Sequence, residues 1–288
     1  MLTSQALAAF TLYLRANGRS AHTLRAYAGD LNRLPAMAEH TEGLTPLVMQ
    51  RLVAGKAGKP ATVNRLKAAL RAFGEWLADG GLAPKNPAAL LEIKRTDSVH
   101  HEALTDCERK RMLRELWTRK GCVAHRDAVM LEVLLSTGIR LAELVGLDIA
   151  DVDLERKKLS VRVKGGHQEE RFIPSDLVKI LRAYLRERRR SGSESEALFL
   201  SGRQERLTAR AVEYRFAHWL LWAGITRDGL TVHSTRHTFG TRLYRKTKDL
   251  VLVQKAMGHR TIAATRVYVH DDQTALEDAV NALKENFG

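Results

Sequence analysis

The sequence predicts a mainly α-helical chain of two domains, the second interrupted by one small β-hairpin. Three observations carry this. Apolar residues recur at 3-4 spacing over much of the 288 residues, a stretch with prolines and mixed charge breaks that spacing, and only one short segment alternates at period two. A chain of this length exceeds the usual single domain, and 44% hydrophobic residues suffice for a sizeable core.

The first third reads as helices. Ser20 and Thr23 are placed to cap a segment whose Leu24, Tyr27, Leu31 and Leu34 line one face. Thr45-Pro46 opens another helix, proline being tolerated at the first helical position. In "PATVNRLKAALRAFGEWLADGG", Val63, Leu66, Leu70, Phe73 and Leu77 form an apolar stripe that Gly80-Gly81 ends. The other face carries Asn64, Arg65, Lys67 and Arg71, either an ordinary solvated face or a helix laid against phosphates. A four-helix unit with a basic side is expected.

The two prolines of "APKNPAALLEIKRTDSVHHEALT" break the pattern and place a linker near 95–103. Thr105 or Asp106 then caps a helix, and "AHRDAVMLEVLLSTGIRLAELVGL" gives an apolar helix pair turning at Gly138. "KKLSVRV" alternates Leu159, Val161 and Val163, and "ERFIP" answers it across "KGGHQE" as a hairpin. Helices are expected from Asp176 to the end. The last of them is amphipathic, with Leu276, Val280 and Leu283 on one side.

Bulk properties narrow the function. No apolar run approaches the roughly 18 residues of a membrane span, and the N-terminus lacks a signal-peptide pattern. Cys107 and Cys122 lie far apart without metal-ligand spacing, so they read as free thiols in a reducing cytoplasm. The net charge is +14. Residues 1–96 hold 13 Lys+Arg against 6 Asp+Glu, and residues 97–270 hold 33 against 22. Solubility alone can produce a basic surface, but two basic segments suit two lobes clamped on a polyanion such as DNA. Residues 271–288 carry one lysine against five acids, which suits contact with protein rather than DNA.

In "MGHRTIAATRVYVH", Tyr268 stands nine positions after His259. A tyrosine at helical spacing is ordinarily core. As a nucleophile in phosphoryl transfer it would need fixed cations on the phosphate, an acid for the leaving alkoxide and help in losing its proton. Arg140 follows Gly138, with Glu143 placed to brace it. Lys164 sits at the hairpin tip, and His233 and Arg236 share a helix face at i, i+3. Each is weak alone. His-x-x-Arg occurs a second time, at His22–Arg25, and a zinc site on His233 and His237 lacks an acidic partner and a third ligand.

Taken in order, "TGIRLAELVGL", "VKGGHQEERFIP", "HSTRHTF" and "MGHRTIAATRVYVH" resemble the catalytic domain of the tyrosine recombinases, the phage-integrase and Xer family. "SAHTLRAYAGDL" and "TVNRLKAALRAFGEWLADGGLAPKNP" resemble that family's helical core-binding domain. The resemblance implies a SAM-like core-binding domain over 1–97, a catalytic domain over 104–288 and a C-shaped clamp on DNA. It implies that Tyr268 attacks the scissile phosphate to give a 3′-phosphotyrosyl link, while Arg140 and Arg236 clamp the phosphate and His259 hydrogen-bonds to it. Lys164 protonates the leaving 5′-oxygen, and His233 assists at the tyrosine. No cofactor or metal is implied.

The implied partners are a double-stranded recombination site and a tetramer on two duplexes. The tetramer is either of one chain or mixed with a second recombinase, proceeds through a Holliday junction, and docks tail helix 271–288 into the neighbour. Thr23, Arg25, Asn64, Arg65, Lys67 and Arg71 are the expected N-terminal DNA contacts, and His237 is expected to be structural or to touch the DNA backbone. Two departures from the family pattern stand out: Val163 precedes Lys164 where glycine is usual, and Thr235 precedes Arg236 where leucine is common. A type IB topoisomerase-like relaxase and a non-cleaving DNA-binding regulator are the alternatives. With no arm-binding segment before residue 1, a simple Xer, transposon or resolvase-like system is expected over an arm-type integrase.

Overall fold

A computed structural model describes residues 1–94, 102–163, 166–259 and 261–268. Lys164, the linker core and the expected tail helix over 271–288 lie outside the described residues. The chain divides into two compact units, Met1–Val99 and His100–Gly288.

The first unit is helical: α1 (Thr3–Ala16), α2 (Ala21–Leu31), α3 (Leu34–Met37), α4 (Pro46–Ala54) and α5 (Pro60–Asp79). The Ser20 hydroxyl caps α2 by accepting the Thr23 N–H, and Thr45 caps α4 by accepting that of Val48. α2 stops at Leu31 instead of running to Leu34. Pro35 has no N–H to continue the ladder, so Leu34 begins a separate turn of helix. The stripe of α5 buries Leu66, Leu70, Phe73 and Leu77 against Phe10 and Leu31 of α1 and α2. Asp30 is buried at the end of α2 and accepts Arg65 Nε at 2.8 Å and Lys56 Nζ at 3.4 Å. Burial alone would raise its pKa, but the Arg65 hydrogen bonds and the charges of Arg65 and Lys56 hold it below the usual carboxylate range.

The second unit contains α6 (Asp106–Thr118), α7 (Cys122–Thr137), α8 (Leu141–Gly146), β1 (Val152–Asp153), β2 (Lys158–Arg162), β3 (Gln168–Phe172), α9 (Ser175–Arg190), α10 (Ala209–Trp222), α11 (Val232–Thr247) and α12 (Leu250–Met257). Thr105 and Glu108 close a capping box at the start of α6. α7 is buried on nearly every side, which is why its sequence is mostly apolar, with Arg126 and Asp127 buried among the apolar residues. At its centre the carboxylate of Asp127 is fully enclosed, accepting Arg126, Arg215 and the Trp219 indole N–H and so joining α7 to α10.

The expected hairpin is part of a three-stranded antiparallel sheet, ordered β1-β2-β3, with Leu159 opposite Arg171 and Val161 opposite Glu169. β1 has two residues, too few to give a period-two signal. The expected unbroken helical run after Asp176 is interrupted. Residues 191–208 are irregular and tied by the bridges Asp148↔Ala197 and Leu200↔Arg206, and Tyr268 sits in a 3-10 turn, Arg266–Tyr268. No helix among the described residues is long and apolar enough to cross a membrane.

Candidate active site

Gly138 ends α7 in the left-handed region, and its carbonyl and the following residues turn the chain toward α11. A side chain there would face both a φ of +63° and the Phe239 ring 2.3 Å away. The turn delivers Arg140 to the position just before α8, where Glu143 reaches back to it. One carboxylate oxygen accepts the Arg140 backbone N–H at 2.8 Å and the other accepts Nη1 at 2.8 Å. The Glu143 side chain is 4% exposed and that of Arg140 39%, so the guanidinium is fixed at its root with donors still open.

Arg236 projects from the first turns of α11 into the interior. Its Nη1 donates to the Gly138 carbonyl at 2.5 Å and its Nη2 to that of Met257 at 2.7 Å. Burial, then the charge of Arg140, lowers its pKa to about 10, which leaves it protonated at neutral pH. His233 lies one turn earlier on α11, exposed, beside Leu141 and Thr231 at the rim of a cleft floored by Phe216 and Leu220.

Past α12, the left-handed Gly258 turns the chain into His259, whose Nδ1 lies 3.0 Å from the Thr265 hydroxyl. Burial and the nearby cations Arg236, Arg140 and Arg171 lower the His259 pKa to about 4, so the ring is neutral. Tyr268 stacks on it, with centroids 6.2 Å apart and planes 9° apart, and also meets the tilted His237 ring at 4.9 Å. The phenol is buried. That burial raises its pKa to about 12 against the opposing pull of Arg236 and Arg140. Arg140, Arg236, His259 and Tyr268 thus form one group: two cations, a neutral imidazole and a phenol.

Arg171 belongs to the same neighbourhood and was not anticipated. It is 5% exposed on β3, donating Nη2 to Glu169 at 2.6 Å, and its charge reaches both Arg236 and His259. One signal was available in the sequence. In "EERFIP", Arg171 shares its face with buried Ile173, while Phe172 is 77% exposed on the other face. A charge on the apolar face of a strand calls for a partner.

The N-terminal candidates are largely occupied. Arg65 is bound to Asp30, while Asn64 donates to the Lys94 carbonyl at 2.6 Å, Lys67 to that of Glu92 at 2.8 Å and Arg71 to that of Leu91 at 3.5 Å. The Thr23 hydroxyl bonds to that of Ser20. Arg25 is exposed, with no hydrogen bond or ion pair among the described residues. Among those residues, no group of three or more His, Cys, Asp or Glu is placed to hold a metal ion.

Residues 102–275 match the model of the phage integrase family, and residues 7–81 match that of the phage integrase N-terminal SAM-like domain. The chain belongs to the phage integrase family. Among its relatives in that family, the tyrosine recombinase XerC of Azotobacter vinelandii is 34% identical over 264 residues, 88% of this chain and 86% of that protein. The XerA recombinase structure covers 96% of this chain and 98% of its own at 25% identity, with a TM-score of 0.56. The fold is also shared with a lambda integrase tetramer bound to a Holliday junction, at 20% identity and a TM-score of 0.68 over 91% of this chain and 78% of that one.

Proposed function

We propose that this phage integrase family member is a site-specific DNA recombinase that cuts and rejoins DNA through a 3′-phosphotyrosyl intermediate. The observation that carries this reading is the convergence of Arg140, Arg236 and His259 on the buried phenol of Tyr268. Tyr268 Oη attacks the scissile phosphorus as the bond to the 5′-oxygen breaks. The phosphodiester energy is held in the tyrosyl ester until a partner strand's 5′-hydroxyl reverses the step. Arg140 and Arg236 neutralise the charge that builds on the non-bridging oxygens. In the tautomer whose Nδ1 accepts from the Thr265 hydroxyl, the neutral His259 carries its proton on Nε2 and can give a hydrogen bond there. A pKa of about 12 keeps Tyr268 protonated until a phosphate is seated, and His233 then takes part of its proton. Lys164 is the proposed acid for the leaving oxygen.

The proposed working form is a tetramer on two duplexes, with tail 271–288 seated on a neighbour. A relaxase and a non-cleaving regulator gain no support from these relatives, which are named recombinases and integrases. Removal of residues 271–288 is expected to spare DNA binding and lower the yield of tetramer in size-exclusion runs with DNA.

The test uses a duplex selected for binding from a randomised library, nicked so that cleavage traps the product. Wild type in EDTA should form a covalent protein–DNA band, and Tyr268→Phe should form none. Tight binding without a band from wild type, on every selected sequence, overturns the reading.

A further inference from the structure

We infer that Arg171, held by Glu169, is a positioning residue that sets His259 by clamping the Gly258 turn, an inference that rests on the recombinase reading only for its effect on cleavage. Four observations converge on that turn. Arg171 is buried with its guanidinium directed by Glu169 Oε2 at 2.6 Å and by the Glu170 carbonyl at 3.2 Å. Gly258 has a φ of +61°. A Cβ on it would fall 2.2 Å from Arg171 Nη2 and 2.6 Å from Glu169 Oε2, so the ion pair packs directly against the glycine with no room for a side chain. The preceding carbonyl, of Met257, accepts Arg236 Nη2 at 2.7 Å. The residue that follows is His259, stacked on Tyr268.

The turn is therefore gripped from two sides. Arg236 holds it from α11 through Met257, and Arg171 holds it from β3 through Gly258. A shift of His259 along the chain would disturb both the Arg236–Met257 bond and the packing of Arg171 on Gly258. Arg171 also joins the sheet to this group, so β3 is packed against the turn that leads into His259. Its effect on chemistry is indirect: it touches no reacting atom. A ring displaced by about 1 Å loses its aligned transition-state contact, and a misplacement of that order can cost roughly hundredfold in rate.

The test follows the imidazole ¹⁵N signals of His259 in the full-length protein without DNA, assigned by comparison with His259→Gln, beside single-turnover cleavage of the selected nicked duplex. Arg171→Gln and Glu169→Gln should both move the His259 signals and slow cleavage about tenfold or more, with DNA affinity within about twofold of wild type. Arg171→Lys should recover part of the rate. Glu169 is two-fifths exposed, so its variant keeps the fold if Arg171→Gln does not. Unchanged His259 signals in a folded Glu169→Gln or Arg171→Gln protein overturn the inference. If wild type itself forms no covalent band, the recombinase reading fails while the ¹⁵N result still decides the clamp.

Discussion

Arg236 and Gly138 lie 98 positions apart in sequence and meet through a 2.5 Å hydrogen bond from the guanidinium to the glycine carbonyl. The second half of the same guanidinium holds Met257, so one side chain ties the helix-ending turn before Arg140 to the turn before His259. Replacing it with lysine keeps the charge but not the fork. Arg236→Lys is expected to lose about 100-fold or more in covalent complex formation. It should also lose about 1–3 kcal/mol of stability in urea, because one buried carbonyl goes unpaired.

Gly240 faces the ring of Tyr268, the proposed nucleophile. A Cβ there would lie 2.6 Å from Tyr268 Cζ and 2.8 Å from Met257 Sδ. Gly240→Ala should therefore displace the phenol. The expected outcome is cleavage slowed by roughly 100-fold with DNA affinity preserved, read from gel shift and covalent trapping side by side.

The depressed pKa of His259 makes a prediction about acid. Unfolded, the ring takes a proton below about pH 6.5; folded, it stays neutral to about pH 4. Between those values the unfolded chain binds more protons, so stability falls as pH drops through that window. His259→Gln should remove about 1–3 kcal/mol of that fall, measured by urea melts at pH 7 and pH 4.5. Equal slopes in both proteins would contradict the burial assigned to the ring.

The polar face of α5 offers a different contrast. Lys67→Ala should loosen residues 91–94, seen as faster tryptic cutting after Lys94, because its ammonium holds the Glu92 carbonyl. Arg25, exposed on α2, is the freer cation. Arg25→Ala should reduce the slope of log affinity against log salt by about 0.9, the loss of one phosphate contact.

Much of this was legible in the sequence, for reasons that differ by element. Ser20, Thr45 and Thr105 cap helices through neighbours three residues on, and such local chemistry is visible in a string of letters. The apolar stripe of α5 and the alternation of Leu159 and Val161 are periodic, hence also readable. Arg140, Arg236, His259 and Tyr268 are recognisable as an ordered set. What escaped depends on distant partners. β1 exists only because Val152 pairs with Leu159. Asn64, Lys67 and Arg71 look like a free basic face until the 91–94 carbonyls come to rest on them. Arg171 gains its importance from Gly258, 87 positions away, and no local pattern encodes that meeting.

The buried phenol of Tyr268 has a consequence for a cell that carries this protein. As the proposed nucleophile, a phenol kept out of water with its proton held to about pH 12 is safe to store. In the proposed mechanism, stray phosphate esters and electrophiles in solution meet a closed door, and a DNA backbone seated among the arginines meets an armed tyrosine. On that reading, the burial that keeps the phenol protonated also guards the genome from it.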